Sequence, residues 1–195
     1  MSEHHDDGPV AAQTRHIEAL LEARGLLDAA ELDRALEAFL AGASPAQGAR
    51  VVARAWVDPA FQDRLLADGN AALEELGLSM GGGIQPQRLK VVANTETEHN
   101  VIVCTLCSCY PIALLGPSPT WYKSEAYRAR VVRDPRGVLA DFGTELPEQV
   151  RITVWDASAE TRYLVLPRRP AVPVSDEAEL AALVTRNGLI GTAVL

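Results

Sequence analysis

No apolar run in this chain approaches the roughly 20 residues that a bilayer-spanning helix needs, so an integral membrane protein is excluded. A basic surplus is also missing: 18 lysines and arginines stand against 26 aspartates and glutamates, a formal net charge of −8. That balance leaves nothing to neutralise a phosphate backbone, and nucleic acid drops out as a partner. The first ten residues are acidic and carry no apolar h-region, so no secretory signal is expected and a cytoplasmic location follows. Internal repeats and low-complexity blocks are absent as well. Cysteine is scarce, with three residues, an odd number, all inside the six positions 104–109. A disulfide framework needs pairs spread along the chain. Three crowded thiols point instead to a reducing compartment and to a site.

What is present is 195 residues, 48% of them apolar, enough for one domain with a real core plus an appendage. Residues 1–10 read as a disordered leader, with His4 and His5 on a solvated tail. Residues 11–43 carry two short amphipathic patterns. Ile17, Leu20 and Leu21 share one face before Gly25; Leu32, Ala35, Leu36, Phe39 and Leu40 share another before Gly42. Two such stripes on so short a segment make a poor core of their own, so they are expected to form an arm lying on a partner subunit. Residues 44–195 read as the main domain.

Ser44-Pro45 opens that domain. Val51, Val52, Ala55 and Trp56 fit a helix stopped by Asp58-Pro59, itself a helix start with Asp58 as N-cap. Leu65 and Leu66 are expected to pack inward, and Asn70 to cap the next short helix. After Gly81-Gly82-Gly83 the period changes: Leu89 to Ala93, Val101 to Val103, Ile152 with Val154, and Leu164 with Val165 read as strands. Ser118-Pro119 and Asp134-Pro135 repeat the cap-plus-proline signal, and Ser175 is expected to cap a last helix. The fold class is α+β: a helical arm followed by a compact domain of helices layered on strands.

The informative segment is Cys104-Thr105-Leu106-Cys107-Ser108-Cys109-Tyr110-Pro111. An iron–sulfur cluster usually takes four thiolates, and only three exist. A structural zinc site needs a fourth ligand, for which His99 is nearest in sequence. A redox pair of Cys104 and Cys107 lacks the helix start that tunes such a thiol. Three inert buried cysteines are the blandest alternative. A tetragonal geometry fits better. The backbone nitrogens of Ser108 and Cys109 fall between the Cys107 and Cys109 sulfurs, and together these four atoms can surround one metal in small, unstrained chelate rings. Cys104 supplies an axial sulfur, and one position stays open for water or substrate. Displacing peptide protons needs a strongly Lewis-acidic ion: nickel or copper, or trivalent low-spin cobalt or iron. An open position on such an ion implies Lewis-acid catalysis.

These residues closely resemble the metal-binding segment of the α subunit of cobalt-type nitrile hydratases. Further strings resemble that family too: Ala53 to Pro59, Asn100 to Pro111, Trp121 to Ser124, Tyr127 to Arg130, Asp156 to Pro167 and Leu189 to Thr192. The resemblance implies that Cys104, Cys107 and Cys109 bind the metal by sulfur, and Ser108 and Cys109 by backbone nitrogen. It implies a Cys107 sulfinate and a Cys109 sulfenate, two rungs of the thiol oxidation ladder. Thr105 is the residue of the cobalt type, so one Co3+ is expected rather than iron. Gln85 falls where the family has an outer-sphere glutamine, and Glu160 and Arg162 resemble a supporting pair that otherwise reads as an exposed ion pair on a strand.

One position departs. After Cys-Tyr-Pro the family usually has tryptophan, and here Ile112 stands. Thiocyanate hydrolase, a close relative with the same cysteine claw, departs there as well. Ile112 removes indole volume from the substrate pocket wall, which points to bulky or heteroaromatic nitriles. The resemblance therefore implies a hydratase turning a nitrile and water into an amide. The Cys109 sulfenate oxygen is a candidate nucleophile or base. A β subunit of one or two chains would supply cations for the oxidised sulfurs, and an activator or metallochaperone would deliver cobalt. Alternatives are the metal-binding subunit of thiocyanate hydrolase, and a metal-carrying maturation module inactive by itself.

Overall fold

The computed structural model describes residues 8–80, 87–107 and 109–195 of the chain. It divides between Gly42 and Ala43 into two compact units. The first holds helix α1 (Pro9–Ala23) and helix α2 (Ala29–Gly42). Proline at the first helical position starts α1, so Pro9 and Val10, read above as leader, already belong to a helix. The rest of that leader, with His4 and His5, lies outside the described residues. Asp28 caps α2 by accepting from the Glu31 backbone N–H at 2.9 Å. No described side chain of this unit is buried, and Ile17, Leu20, Leu36 and Leu40 are exposed.

The second unit begins with α3 (Pro45–Val57), α4 (Pro59–Ala67) and α5 (Gly69–Glu75). Ser44 caps α3 and Asp58 caps α4, as their place before proline predicts. The cap of α5 is Asp68, not Asn70. Asn70 instead accepts from the Leu89 N–H at 2.6 Å and donates to the Gln87 carbonyl at 2.9 Å, tying α5 to the next strand. Leu65 is buried as expected, but Leu66 on the adjacent face is exposed.

The strands β1 (Arg88–Ala93), β2 (Glu98–Val103), β3 (Arg151–Asp156) and β4 (Thr161–Leu166) lie where the β-branched runs place them. They form two parallel pairs, β1 with β4 and β2 with β3, in registers such as Val91 opposite Leu164 and Val103 opposite Asp156. Parallel partners need long crossovers. The one between β2 and β3 carries the cysteine loop and then α6 (Ile112–Leu115), α7 (Thr120–Lys123), α8 (Glu125–Val131) and α9 (Pro135–Asp141). Asp134 caps α9 as predicted, whereas Ser118 caps nothing: α7 starts at Thr120 without a side-chain cap, and Ser124 caps α8. The chain closes with α10 (Glu177–Leu183) and α11 (Arg186–Ile190), capped by Asp176 and Thr185 in place of Ser175.

The core gathers Val51, Phe61, Leu73, Ile102, Leu139 and Leu164 around the strands. Beside it Trp121 meets Tyr127 and Phe142 edge to face, with ring centroids 4.9 and 4.6 Å away. Among the described residues, no helix is long and apolar enough to cross a membrane.

Candidate metal centre

The cysteine loop leaves the carboxyl end of β2, where the open end of a parallel pair leaves room for a ligand. Val103, the last strand residue, is opposite Asp156, the last residue of β3. That carboxylate grips the first residue of the turn twice: the Thr105 backbone N–H donates to Oδ1 at 2.9 Å and its hydroxyl to Oδ2 at 2.5 Å. With Thr105 pinned, the chain turns back on itself. The Cys107 N–H donates to the Cys104 sulfur at 3.3 Å.

Three sulfurs converge as a result. Cys104 Sγ lies 3.5 Å from Cys107 Sγ, which lies 3.3 Å from Cys109 Sγ, and all three fall within 4.8 Å of one another. Cys104 is buried beneath the loop, Cys109 is half-buried and Cys107 faces outward. Burial, with hydrogen bonding to Cys107, pushes the Cys109 thiol up to about 12, against the opposing charge of Arg162. Three soft donors on one turn fit a thiophilic transition metal. His99 is no part of this set. It is buried in β2, its Nε2 donating to the Gly191 carbonyl at 2.8 Å and its Nδ1 accepting from the Asn94 amide at 3.2 Å. Both ring nitrogens are spent, so the zinc arrangement loses its fourth ligand.

Behind the loop stands a ring of donors that the sequence reading did not single out. The Tyr127 hydroxyl donates to the Ile102 carbonyl at 2.7 Å, the Tyr122 hydroxyl to the Cys109 carbonyl at 3.0 Å, and Arg128 Nη1 to the Cys107 carbonyl at 3.2 Å. Burial raises both phenols well above the ordinary range, so they stay protonated donors. Their strings, Trp121 to Ser124 and Tyr127 to Arg130, were the available signal. A shallow depression of about 470 Å³, lined by Thr105, Glu125, Arg128, Ala129, Val132 and Arg133, flanks the loop.

The remaining candidates make hydrogen bonds away from the three sulfurs, though the charge of Arg162 is felt at Cys109. Arg162, on β4, is only 9% exposed, and its Nη1 donates to the carbonyls of Ser158 and Ala159. Its Nε is buried without a partner. Glu160 precedes β4, is exposed, and accepts from the Ser158 hydroxyl at 2.9 Å, which with its own backbone N–H holds its carboxyl low. The exposed strand ion pair is therefore corrected: the two side chains make no direct salt bridge but bond to different groups of Ser158, Arg162 is buried, and its charge reaches Glu160 only as a minor contribution to the low carboxyl. Ile112 opens α6 with part of its side chain in solvent. Gln85 and Ser108 lie outside the described residues.

Comparison with known proteins agrees with this chemistry. Residues 8–193 match the family described as nitrile hydratase, alpha chain. The chain is 50% identical over 186 residues to the low-molecular weight cobalt-containing nitrile hydratase subunit alpha of Rhodococcus rhodochrous, covering 95% of this chain and 88% of that one. It is 42% identical over 177 residues to the thiocyanate hydrolase subunit gamma of Thiobacillus thioparus, covering 86% and 73%. Among solved structures, a double mutant of the Fe-type nitrile hydratase from Comamonas testosteroni Ni1 superposes with a TM-score of 0.88 at 40% identity, covering 96% of this chain and 92% of that one. A sulfur-lined turn on a matched scaffold of this extent has one reading: the chain belongs to the nitrile hydratase alpha chain family.

Proposed function

We propose that this chain is the metal-bearing α subunit of a cobalt nitrile hydratase, adding water across R–C≡N to give R–C(O)NH2. The observation that carries the reading is the convergence of the Cys104, Cys107 and Cys109 sulfurs on one turn anchored through Thr105. Ser108 and Cys109 would complete the ligand set through backbone nitrogen. Bound there, Co3+ would supply Lewis-acid polarisation of the reacting groups.

The chain's own residues hold the turn in shape. Asp156 fixes its start through Thr105, and Tyr122 fixes its end at the Cys109 carbonyl. Cys107 as sulfinate and Cys109 as sulfenate would present anionic oxygens, and the latter would be a candidate to take a proton from water or attack carbon. Buried Arg162 contributes positive charge toward Cys109, and a β subunit would supply the rest. Gln85 and Glu160 would have supporting roles, and Ile112 a place in the substrate wall.

A second reading, the metal-binding subunit of a thiocyanate hydrolase, is favoured by one observation, the 42% identity to a thiocyanate hydrolase gamma subunit. The test is to produce the chain with its β subunit and cobalt, then measure metal content, intact mass and turnover of a nitrile and of thiocyanate. Stoichiometric cobalt, the added oxygens of one sulfinate and one sulfenate, and amide formation are expected. Tetrahedral zinc with no cobalt uptake would falsify the reading, and thiocyanate turnover without nitrile turnover would transfer it to the second.

A further inference from the structure

We propose that Arg128 is a positioning residue of the metal centre: through the Cys107 carbonyl oxygen, its guanidinium neutralises the negative charge that the following peptide group carries when it ligates the metal. The inference rests on the function proposed above, in which the nitrogen of residue 108 is a ligand.

Three observations carry it. First, Arg128 stands on α8 yet reaches across to the loop, donating from Nη1 to the Cys107 carbonyl at 3.2 Å. Second, among the described residues this guanidinium pairs with no carboxylate, and its Nε is buried without an acceptor. In the metal-free chain the described protein partner of this guanidinium is therefore one neutral carbonyl. Third, that carbonyl is not an arbitrary one. Carbon 107, its oxygen and nitrogen 108 form one resonance unit, because the peptide bond has partial double-bond character.

When nitrogen 108 binds a metal, its proton leaves to bulk water and its electron pair enters the metal–nitrogen bond. The negative charge left on the peptide spreads onto oxygen 107. An arginine already aimed at that oxygen turns a neutral hydrogen bond into a charge-assisted one, the stronger kind. Tyr122 holds a carbonyl of the same loop and Tyr127 one of the strand before it, but as neutral donors, and neither of those carbonyls belongs to a ligating peptide.

The experiment uses the full chain stripped of metal. Cobalt is added, and its retention against a competing chelator is read by metal analysis together with the sulfur-to-cobalt charge-transfer band. The variants are Arg128→Gln, Arg128→Lys and, as a control from the same depression, Arg133→Gln. Arg128→Gln should retain cobalt about 10- to 100-fold less well, the usual effect of losing a residue that supports a ligand. Its charge-transfer band should shift, while metal-free unfolding stays at the wild-type midpoint. Arg128→Lys, which keeps the charge, should restore most of the retention, and Arg133→Gln should match wild type. Equal retention in Arg128→Gln and wild type overturns the proposal, and so does an Arg128→Lys chain as weak as Arg128→Gln, which would make shape and not charge the cause. If wild type itself holds no sulfur-ligated cobalt, the proposed function fails at its root, a result distinct from either.

Discussion

At the residue scale, the metal loop shows which part of a site a sequence can disclose. Three cysteines in six positions are legible because ligand chemistry is local: the donors must be close, and here the chain makes them close. The groups that hold them are not local. Asp156 is 51 residues from Thr105, Arg128 is 21 from Cys107 and Tyr122 is 13 from Cys109. Only the β2–β3 register and the packing of α7 and α8 bring them in, and no spacing rule announces that. Ile112 was legible for the opposite reason, as a mismatch. It lies three residues beyond Cys109, partly exposed, where an indole would fill more space. Comparing kcat/KM for a small aliphatic and a bulky heteroaromatic nitrile, Ile112→Trp should move their ratio toward the small substrate by about 10- to 200-fold, the range that pocket contacts command. An unchanged ratio removes Ile112 from the substrate wall.

At the element scale, strands were easier to read than caps. β-branched runs mark β1 to β4 because side-chain shape and burial act together along several residues. Asp68 and Asn70 are both good caps in isolation, and the choice between them is made by β1, whose Leu89 N–H claims the Asn70 side chain. A similar tertiary claim governs His99. Burial holds its imidazole below the ordinary value of 6.5, only partly offset by its bond to the Gly191 carbonyl. The neutral ring donates at one nitrogen and accepts at the other; an added proton would face the Asn94 amide donor. The unfolded chain takes up that proton near pH 6.5, and the native chain does so only at lower pH. The contribution of His99 is therefore complete above about 6.5 and lost as pH falls below it. Denaturant unfolding at about pH 7.5 and about pH 5.5 should show wild type weakening on acidification more than His99→Gln. Parallel losses in both would place the acid-sensitive group elsewhere.

At the scale of the whole molecule, the chain is two units with different claims to independence. Residues 43–195 contain the buried core, the parallel strand pairs and the cysteine loop. Residues 8–42 bury none of their described side chains, and Ile17, Leu20, Leu36 and Leu40 are exposed; we propose that this segment finishes its packing on another chain. A chain lacking residues 1–42 should unfold cooperatively with the midpoint of the full chain and yet co-purify poorly with the β subunit. Loss of the cooperative transition would make α1 and α2 part of the core instead.

The pairing of β2 with β3 also sets a timetable. Parallel strands joined through four helices are a non-local contact, and such contacts form late in folding because a long loop must close first. Asp156, the last residue of β3, leaves the ribosome well after the three cysteines. Until it arrives, Thr105 has no carboxylate to grip and the thiols sit on an unshaped segment. Metal insertion, as proposed for this loop, would thereby follow synthesis of the domain, and a nascent chain halted before β3 would expose three thiols to adventitious oxidation on a loop not yet shaped.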